Sequence, residues 1–294
     1  MSCRDKETRT YKQLSQGAIQ ADIYYEGSGS PVIVYIHGGA LIFGTRAWLP
    51  AEQIERYTSA GFSVVNIDYR LAPETKLQDI VQDIQDALAW VRTTALQWYD
   101  FDVERLAVIG SSAGGYLSLL SGTWTSKPKA IVSFYGYGDI KGDWYTRPSA
   151  FYCSRPTVSR DEAFSHTGDR ELTDGPFDRF PFYLYCRQQG TWVREVSGMD
   201  PLLRGHAVSA FNPVELITPA YPPALLLHGD QDTDVPCEQS VQMYERLLVK
   251  GIPAKLVTIE GAEHAFDNQF DQPVVQQAFD AVIDFLKLHL QSEA

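Results

Sequence analysis

The sequence predicts a doubly wound α/β fold, in which helices cover both faces of a mostly parallel sheet. Short apolar runs rich in β-branched residues alternate with helical patterns along the chain. These runs are apolar almost throughout, as expected for strands that helices bury on both faces. The chain has 294 residues, of which 44% are hydrophobic, and it contains no internal repeat. It is therefore expected to be an ordinary globular protein.

Six apolar runs are predicted as strands of the parallel sheet: residues 31–36, 62–68, 105–109, 130–134, 223–227 and 254–259. Residues 19–25 (IQADIYY) alternate instead, which predicts an antiparallel strand at the edge of the sheet. From Leu77 to Val91, apolar residues recur at helical spacing and form one stripe. Further helical patterns follow four positions: Pro50, Ser112, Pro236 and Pro273.

Residues 137–212 interrupt this alternation and show no clean strand pattern. From Tyr135 to Phe211 there are 14 aromatic residues among 77, more than a polar surface loop would carry, so this segment must pack on something. We expect residues 1–136 and 213–294 to form the α/β core and residues 137–212 to form a cap or lid over a pocket. The alternative is a helical subdomain that packs only on itself.

The charge balance excludes some classes of partner. Lys and Arg number 25 against 37 Asp and Glu, a net charge of −12, which argues against nucleic acid or an anionic membrane. No run approaches the roughly 20 apolar residues of a membrane helix, and residues 1–9 lack the apolar segment of a signal peptide. We therefore expect a cytoplasmic protein with a small-molecule substrate and no membrane span. The sequence does not determine the oligomeric state, and a homodimer is one possibility.

The four cysteines do not form a metal or redox motif. They are Cys3, Cys153, Cys186 and Cys237. Their spacing is that of scattered reduced thiols, although Cys153 and Cys186 could lie near each other. The sequence implies no metal and no cofactor.

A serine lies at the corner between a predicted strand and a predicted helix. Residues 110–114 (GSSAG) match G-x-S-x-G in this context, the arrangement in which a nucleophile elbow lifts a serine hydroxyl above the sheet edge. Side chains at Gly110 and Gly114 would collide with the neighbouring strand and helix. Because small-residue turns are common, Ser112 also needs an acid and a histidine later in the chain, in that order.

The acid is expected in residues 229–236 (GDQDTDVP), which follow a predicted strand where α/β folds place their sites. Of its three aspartates we assign Asp232, which is far enough into the loop to turn toward an imidazole. Asp230 and Asp234 are expected to accept hydrogen bonds from backbone donors or from solvent.

The base is expected after the last strand, where residues 260–266 (EGAEHAF) contain His264. This histidine is better placed to act than three others, which lie in residues 137–212 or in the final helix: His166, His206 and His289. The order Ser112, Asp232, His264 is the order of a triad on this class of fold.

An oxyanion hole is expected from residues 37–44 (HGGALIFG), because small residues let backbone N–H groups approach a developing oxyanion. Gly39, Ala40 and Ala113 are the predicted donors. Since these donors are backbone groups, alanine at position 40 is expected to carry no cost. His37 is expected to position the loop and not to act as a second base.

Four motifs together resemble the α/β-hydrolase superfamily, in particular its hormone-sensitive-lipase-like esterase branch: HGGA at 37–40, DYRLAPE at 68–74, GSSAG at 110–114 and EH at 263–264. The resemblance covers most of the chain outside residues 137–212. It implies a carboxylic ester hydrolase with Ser112 as nucleophile, His264 as base and Asp232 as the residue that orients the base. It also implies that residues 68–74 form a structural turn near the oxyanion loop.

The chain departs from this branch at three places. The branch usually has glycine where Ala40 lies and often an acid where Ser111 lies. Its acidic loop commonly reads D-P-L, whereas the sequence after Asp232 looks more like that of dienelactone-hydrolase or peptidase-type members. Only 36 residues precede His37, too few for the N-terminal cap that many of these esterases carry, so residues 137–212 are expected to take that role.

The resemblance favours an apolar or aromatic small-molecule ester as substrate. Amidase or formamidase, lactonase and acyltransferase activities would use the same triad and stay open. A non-catalytic receptor of the same fold is a further alternative, but receptors that resemble these esterases have replaced the catalytic histidine, and His264 is intact. Residues 182–190 (FYLYCRQQG) also look like segments of uncharacterised fungal hydrolases, some of them associated with secondary metabolism.

Overall fold

One sheet of eight strands runs through the part of the chain that the computed structural model describes, residues 6–290. The strands are β1 (Lys6–Gln13), β2 (Ala18–Tyr24), β3 (Pro31–Ile36), β4 (Ser63–Ile67), β5 (Asp102–Ser111), β6 (Ala130–Phe134), β7 (Ala224–Gly229) and β8 (Ala254–Ile259). Their order in the sheet is β1-β2-β4-β3-β5-β6-β7-β8. Strands β3 to β8 are parallel to one another, while β2 is antiparallel to β1 and β4. The predicted fold class is confirmed.

Two expectations about the sheet edges are wrong. The alternating strand β2 lies inside the sheet, and β1 forms the edge beyond it. Strand β1 was not predicted because its side chains are mostly polar and exposed, so it shows no alternation of apolar residues. Strand β8 forms the opposite edge and is only partly covered, in contrast to the fully buried β4 and β6.

Thirteen α-helices lie within residues 6–290: α1 (Ala51–Ser59), α2 (Leu77–Trp90), α3 (Leu96–Tyr99), α4 (Ala113–Ser121), α5 (Asp143–Thr146), α6 (Ala150–Cys153), α7 (Arg160–Ser165), α8 (Phe180–Gln189), α9 (Trp192–Ser197), α10 (Gly205–Ser209), α11 (Pro213–Leu216), α12 (Glu238–Val249) and α13 (Pro273–His289). A π-helical turn, Val91–Ala95, joins α2 to α3. The helices predicted after Pro50, Ser112, Pro236 and Pro273 are α1, α4, α12 and α13.

Helices cover both faces of the sheet because successive side chains of a strand point to opposite faces. On one face, Ile33 of β3 shares a hydrophobic cluster with Tyr57 of α1 and Phe279 of α13. On the other face, Val34 shares a cluster with Ile80 of α2 and with residues of α4. Because strands β3 to β8 are parallel, their carboxyl ends lie at one edge of the sheet. The loops that carry the candidate site begin at this edge.

The segment 137–212, called the insertion below, contains helices α5 to α10 and no strand that belongs to the sheet. Its buried side chains, such as Phe182 and Trp192, belong to the same hydrophobic cluster as Ile36 and Leu77 of the core. The insertion is therefore packed onto the α/β core, and the alternative of a subdomain packed only on itself is wrong.

The cysteines of the described residues are free thiols: Cys153, Cys186 and Cys237. Cys3 lies outside the described residues. Within residues 6–290, no helix combines the length and the apolar character that crossing a membrane requires.

Candidate active site

Ser112 lies in the sharp turn between β5 and α4. Its backbone angles, φ 53° and ψ −117°, are rare for a residue other than glycine. Two glycines make the turn sterically feasible. A Cβ at Gly110 would lie 2.3 Å from the carbonyl of Gly114, and a Cβ at Gly114 would lie 2.0 Å from the carbonyl oxygen of Ile36. The tight approach of strand and helix therefore presents the Ser112 hydroxyl at the carboxyl edge of the sheet.

The structure brings Ser112, His264 and Asp232 together in one hydrogen-bonded chain. Nε2 of His264 lies 3.1 Å from Oγ of Ser112, and Nδ1 lies 2.7 Å from Oδ2 of Asp232. The alternative histidines, His166 and His206, lie in or beside helices of the insertion. An imidazole bonded in this way can accept the serine proton at Nε2 while the carboxylate holds the Nδ1–H tautomer.

The Asp232 carboxylate is buried and fully bonded. Its Oδ1 accepts the backbone N–H groups of Asp234 and Val235, each at 2.9 Å. Burial alone would raise the pKa of Asp232, but hydrogen bonds with His228 and His264 outweigh burial and hold that pKa well below its usual range. The side chain is therefore ionised at neutral pH and able to stabilise an imidazolium.

His228 supports the acidic loop of residues 229–236, a role that was not predicted from the sequence. Its Nε2 bonds to the carbonyl of Val235 at 3.0 Å, and its Nδ1 lies 2.7 Å from the hydroxyl of Ser240. Because His228 is the penultimate residue of β7 and is fully buried, it fixes the path of the acidic loop. The only signal in the sequence was its position between the apolar residues 224–227 and the acidic loop.

The expectation for Asp230 agrees with the structure, and the expectation for Asp234 is wrong. Asp230 accepts the backbone N–H of Gly261 at 2.7 Å. Asp234 instead binds two side chains of the insertion, accepting from Tyr183 at 2.5 Å and from Arg187 at 2.9 Å. The sequence could not reveal this contact because the partners lie about fifty positions earlier in the chain.

The loop of residues 37–44 presents two unused backbone donors. Gly39 and Ala40 both line the cavity beside Ser112, and among residues 6–290 we find no protein acceptor for their N–H groups. Ala113 is the first residue of α4, and first-turn N–H groups have no partner within their helix. Gly39 and Ala40 thus line the cavity that contains Ser112, and Ala113 directly follows Ser112 in the chain.

Alanine at position 40 is not free of cost, contrary to expectation. Gly39 has φ 104°, Ala40 has φ 54° and Leu41 has φ 62°. The left-handed region costs a residue with a Cβ roughly 1–2 kcal/mol. Surrounding contacts must therefore hold this loop in place.

His37 and the turn at residues 68–74 provide part of that support. His37 bonds through Nδ1 to the carbonyl of Gly38 at 2.7 Å, and its ring stacks on Tyr69 at a centroid distance of 4.3 Å. Burial lowers the pKa of His37 to about 4, so the ring is neutral at pH 7. The Tyr69 hydroxyl donates to the carbonyl of His37 at 3.0 Å, and the N–H of Ala72 donates to Leu41 at 2.7 Å.

A cavity of about 280 Å³ lies above Ser112 and His264. Aromatic side chains form much of its wall: Phe43, Trp48, Tyr135, Phe177, Phe180 and Tyr183. The last three belong to the insertion. Trp48 is 43% exposed and Phe177 is 61% exposed, so they lie where the cavity opens to solvent. The site therefore combines a polar floor with an aromatic wall.

Tyr135 is a strained residue beside the base and was not singled out from the sequence. Its φ is 38°, unusual for a bulky side chain and typical of functional sites. The ring lies 4.5 Å from that of His264, centroid to centroid, and its hydroxyl donates to Asp267. This ring contact limits the movement of the imidazole.

Two family models match the chain in succession. The BD-FAE model matches residues 21–148, and the model described as Prolyl oligopeptidase family matches residues 188–293. The second match includes the acidic loop and His264. It agrees with the peptidase-like sequence that follows Asp232.

Among curated proteins, the chain is similar to the non-reducing polyketide synthase ausA of Emericella nidulans and to the non-reducing polyketide synthase prhL of Penicillium brasilianum. Both are 28% identical to it over 97% of this chain. The chain spans only 14% of the length of each of these relatives. The likeness therefore concerns one segment of a much longer protein.

Solved structures match over nearly the whole chain. An α/β hydrolase superfamily protein from Enterococcus faecalis is 25% identical, with a TM-score of 0.73 and coverage of 97% of this chain and 99% of that one. The apo form of Thermogutta terrifontis esterase 2 is 22% identical, with a TM-score of 0.71 and coverage of 100% and 98%. A protein with unknown function from Staphylococcus aureus is 24% identical, with a TM-score of 0.82 and coverage of 97% and 100%. With a mostly parallel sheet of this order and both family matches, the chain belongs to the α/β-hydrolase superfamily.

Proposed function

We propose that the chain is a serine hydrolase that cleaves carboxylic esters of apolar or aromatic small molecules through an acyl-enzyme on Ser112. The observation that carries this proposal is the hydrogen-bonded chain Ser112–His264–Asp232 on the floor of the cavity. The unused N–H groups of Gly39 and Ala40 beside it support an oxyanion hole. A nucleophile, a base, an acid and oxyanion donors in mutual reach are the parts that acyl transfer needs.

In the proposed mechanism, Oγ of Ser112 attacks the ester carbonyl while Nε2 of His264 takes the hydroxyl proton. The N–H groups of Gly39, Ala40 and Ala113 hold the oxyanion of the tetrahedral intermediate. The imidazolium, stabilised by Asp232, returns the proton to the leaving alcohol as the C–O bond breaks. Water, deprotonated by His264, then attacks the acyl-enzyme and releases the acid and the free serine.

The cavity indicates the substrate class. Its volume of about 280 Å³ is close to the lower end of the roughly 300–1,000 Å³ typical of small-molecule sites. Rings such as Phe43 and Phe180 in its wall favour apolar and aromatic groups. We assign the insertion, residues 137–212, as a cap, because three of its aromatic side chains contribute to that wall.

A thioester is a second candidate acyl donor. The polyketide synthases to which the chain is similar align with nearly all of it, so a segment of those proteins has a comparable sequence. An acyl thioester of polyketide type, and with it a role in secondary metabolism, is therefore proposed alongside the ester. Amide, formamide or lactone cleavage and transfer to an acceptor alcohol would use the same residues.

The first test is intact-mass spectrometry after treatment with a fluorophosphonate probe. We expect one adduct on the wild-type protein and none on Ser112→Ala. Ser111→Ala is the matched control, because the neighbouring hydroxyl of Ser111 bonds to Tyr35 at 3.3 Å and not to His264. An unmodified wild-type protein would refute the proposal and favour a binding protein of the same fold. An adduct that persists in Ser112→Ala would refute Ser112 as the nucleophile.

The second test separates the acyl donors. Initial rates on a naphthyl ester, an aroyl thioester of N-acetylcysteamine, an aryl formamide and an aromatic lactone are compared at equal concentration. Removal of Ser112 should lower kcat by at least about 10³-fold on the true substrate, as removal of a triad nucleophile does elsewhere. A rate on one class that exceeds the others and depends on Ser112 identifies that class.

A further inference from the structure

The insertion bonds directly to the 37–44 loop. Nε1 of Trp192 donates to the carbonyl of Ala40 at 3.0 Å, and Nε of Arg179 donates to the carbonyl of Ile42 at 2.7 Å. Gly175 and Gly44 exchange two backbone hydrogen bonds, of 2.8 and 3.1 Å. Three points of the insertion thus contact consecutive parts of one short loop.

This loop needs external partners because its backbone is strained. Two of its left-handed residues, Ala40 and Leu41, carry a Cβ. Such conformations persist only where the surroundings determine them. Together with the contacts from residues 68–74 and bonds within the loop, the bonds from the insertion give every carbonyl from His37 to Ile42 a hydrogen-bond donor.

Each carbonyl that is held also fixes a donor, because the C=O and N–H of one peptide group point in opposite directions. The carbonyl of Gly39 accepts the N–H groups of Ile42 and Phe43 at 2.9 and 3.0 Å, and this aims the N–H of Ala40. The next carbonyl, that of Ala40, accepts from Trp192. Trp192 therefore fixes the peptide group that directly follows the proposed oxyanion donor.

Trp192 itself is rigidly held. It is fully buried, and its ring stacks on Tyr145 at a centroid distance of 4.0 Å and an interplanar angle of 11°. Tyr145 stacks in turn on Trp144 at 3.6 Å. The direction of the Trp192 N–H is thus determined by a buried aromatic stack and not by a flexible side chain.

We propose that the insertion holds the 37–44 loop in its oxyanion-binding conformation and that Trp192 is the positioning residue through which it acts. The inference rests on the proposed function, since it concerns the oxyanion donors of that reaction. In this arrangement the insertion has two roles, because the segment that lines the cavity also shapes the catalytic backbone. Loss of the Trp192 N–H frees the peptide group between Ala40 and Leu41 to rotate.

The test compares Trp192→Phe with Trp144→Phe. Both variants replace an indole in the same stack by phenyl, but the N–H of Trp144 donates to the carbonyl of Asp139 at 2.8 Å, away from the loop. For Trp192→Phe we expect kcat on the preferred ester to fall about 10- to 100-fold, the scale of a displaced or lost oxyanion donor. KM should change by less than about twofold, since ground-state binding does not use the oxyanion donors.

The inhibition constant of a transition-state analogue distinguishes a positioning role from a merely structural one. An aryl trifluoromethyl ketone adds to Ser112 and places a negative oxygen in the oxyanion hole. Its inhibition constant should rise in Trp192→Phe by the same factor by which kcat falls, and Trp144→Phe should match the wild type. If Trp192→Phe does not fold, benzothienylalanine at position 192 keeps the shape of indole and removes only the N–H.

The outcomes separate the two proposals. A wild-type protein that takes no fluorophosphonate on Ser112 overturns the proposed function and this inference with it. An active wild type, in which loss of the Trp192 N–H leaves kcat and the inhibition constant unchanged, overturns only the positioning role. If kcat fell equally in Trp192→Phe and Trp144→Phe, the effect would belong to the aromatic stack as a whole. That result would also overturn the positioning role of Trp192.

Discussion

Oδ2 of Asp234 lies 3.6 Å from Nε2 of His264, the same nitrogen that faces Ser112. Two carboxylates therefore flank the imidazole, with Asp232 on the Nδ1 side. Burial lowers the pKa of His264, but the hydrogen bond to Asp232 and the negative charges of Asp234, Asp232 and Asp267 outweigh burial and raise that pKa above its ordinary value of 6.5. Asp234 thus adds a charge that favours the imidazolium formed during catalysis.

The first prediction concerns the pH dependence of kcat/KM. A general base acts only when neutral, so activity should be full at high pH and fall as pH decreases through the raised pKa of His264. The midpoint of this acid limb should lie above pH 6.5. Asp234→Asn removes one negative charge beside Nε2, so the pKa of His264 should decrease and the limb should move to lower pH.

The control for this prediction is Asp230→Asn, measured in the same buffers. Asp230 belongs to the same loop, but its side chain bonds to the N–H of Gly261, and asparagine can accept that bond. Its acid limb should coincide with that of the wild type. A limb that stays in place for Asp234→Asn, or moves equally in both variants, would contradict the electrostatic role of Asp234.

The second prediction tests the steric basis of the turn at Ser112. In Gly114→Ala, the new Cβ would lie 2.0 Å from the backbone oxygen of Ile36, so β3 or α4 must shift. We expect the free energy of unfolding to fall by about 3 kcal/mol, the upper part of the range for overpacking a core, and kcat to fall as well. Gly205→Ala is the control, because a glycine-to-alanine exchange there meets no neighbouring atom within 4 Å of the new Cβ, and its free energy of unfolding should not fall.

The third prediction concerns the strain at Ala40. Glycine adopts φ 54° without a Cβ penalty, so Ala40→Gly should raise the free energy of unfolding by up to about 1 kcal/mol in denaturant titration. The same change at Ala60, where φ is −86°, should lower stability instead, because glycine only adds conformational freedom to the unfolded chain there. Equal effects at both positions would show that Ala40 is not strained.

Strands and helices could be predicted from the sequence where burial makes apolar residues recur at a regular spacing. The six apolar runs and the stripe from Leu77 to Val91 follow from packing of two faces. Strand β1 has no such period because it lies at the edge of the sheet and its side chains are mostly polar and exposed. The left-handed φ of Ala40 was hidden for another reason: backbone strain is set by neighbours that the local sequence does not contain.

The same distinction applies to the candidate site, where some residues could be predicted from the sequence and others could not. The side chains of Ser112, Asp232 and His264 are in contact, and chain order together with a turn motif was enough to nominate them. Asp234 and Trp192 were not nominated, because each contacts a partner far away in sequence: Tyr183 for the one and Ala40 for the other. Aromatic density indicated that the insertion packs on the core, but it could not identify which ring donates to which carbonyl.

The last prediction concerns the aromatic wall. Phe177 lines the cavity although it is 61% exposed, and its ring stacks on Phe180 at a centroid distance of 5.1 Å. An exposed ring that packs on the cavity wall has little role in the core, so Phe177→Ala should leave the melting temperature nearly unchanged. A substrate ring that contacts it should gain about 1 kcal/mol. KM for a naphthyl ester should therefore rise about fivefold, whereas KM for ethyl butyrate, which has no ring, should stay constant.

Leu202→Ala is the control for this variant, because Leu202 belongs to the same insertion, is 91% exposed and does not line the cavity. Both esters should behave as in the wild type. If Phe177→Ala weakened the naphthyl ester and ethyl butyrate equally, the ring would support the loop rather than the substrate. If neither ester changed, the acyl or alcohol group would have to lie elsewhere, and the aromatic wall could not be the source of substrate preference. A selective loss on the naphthyl ester alone would link the insertion to the choice of substrate.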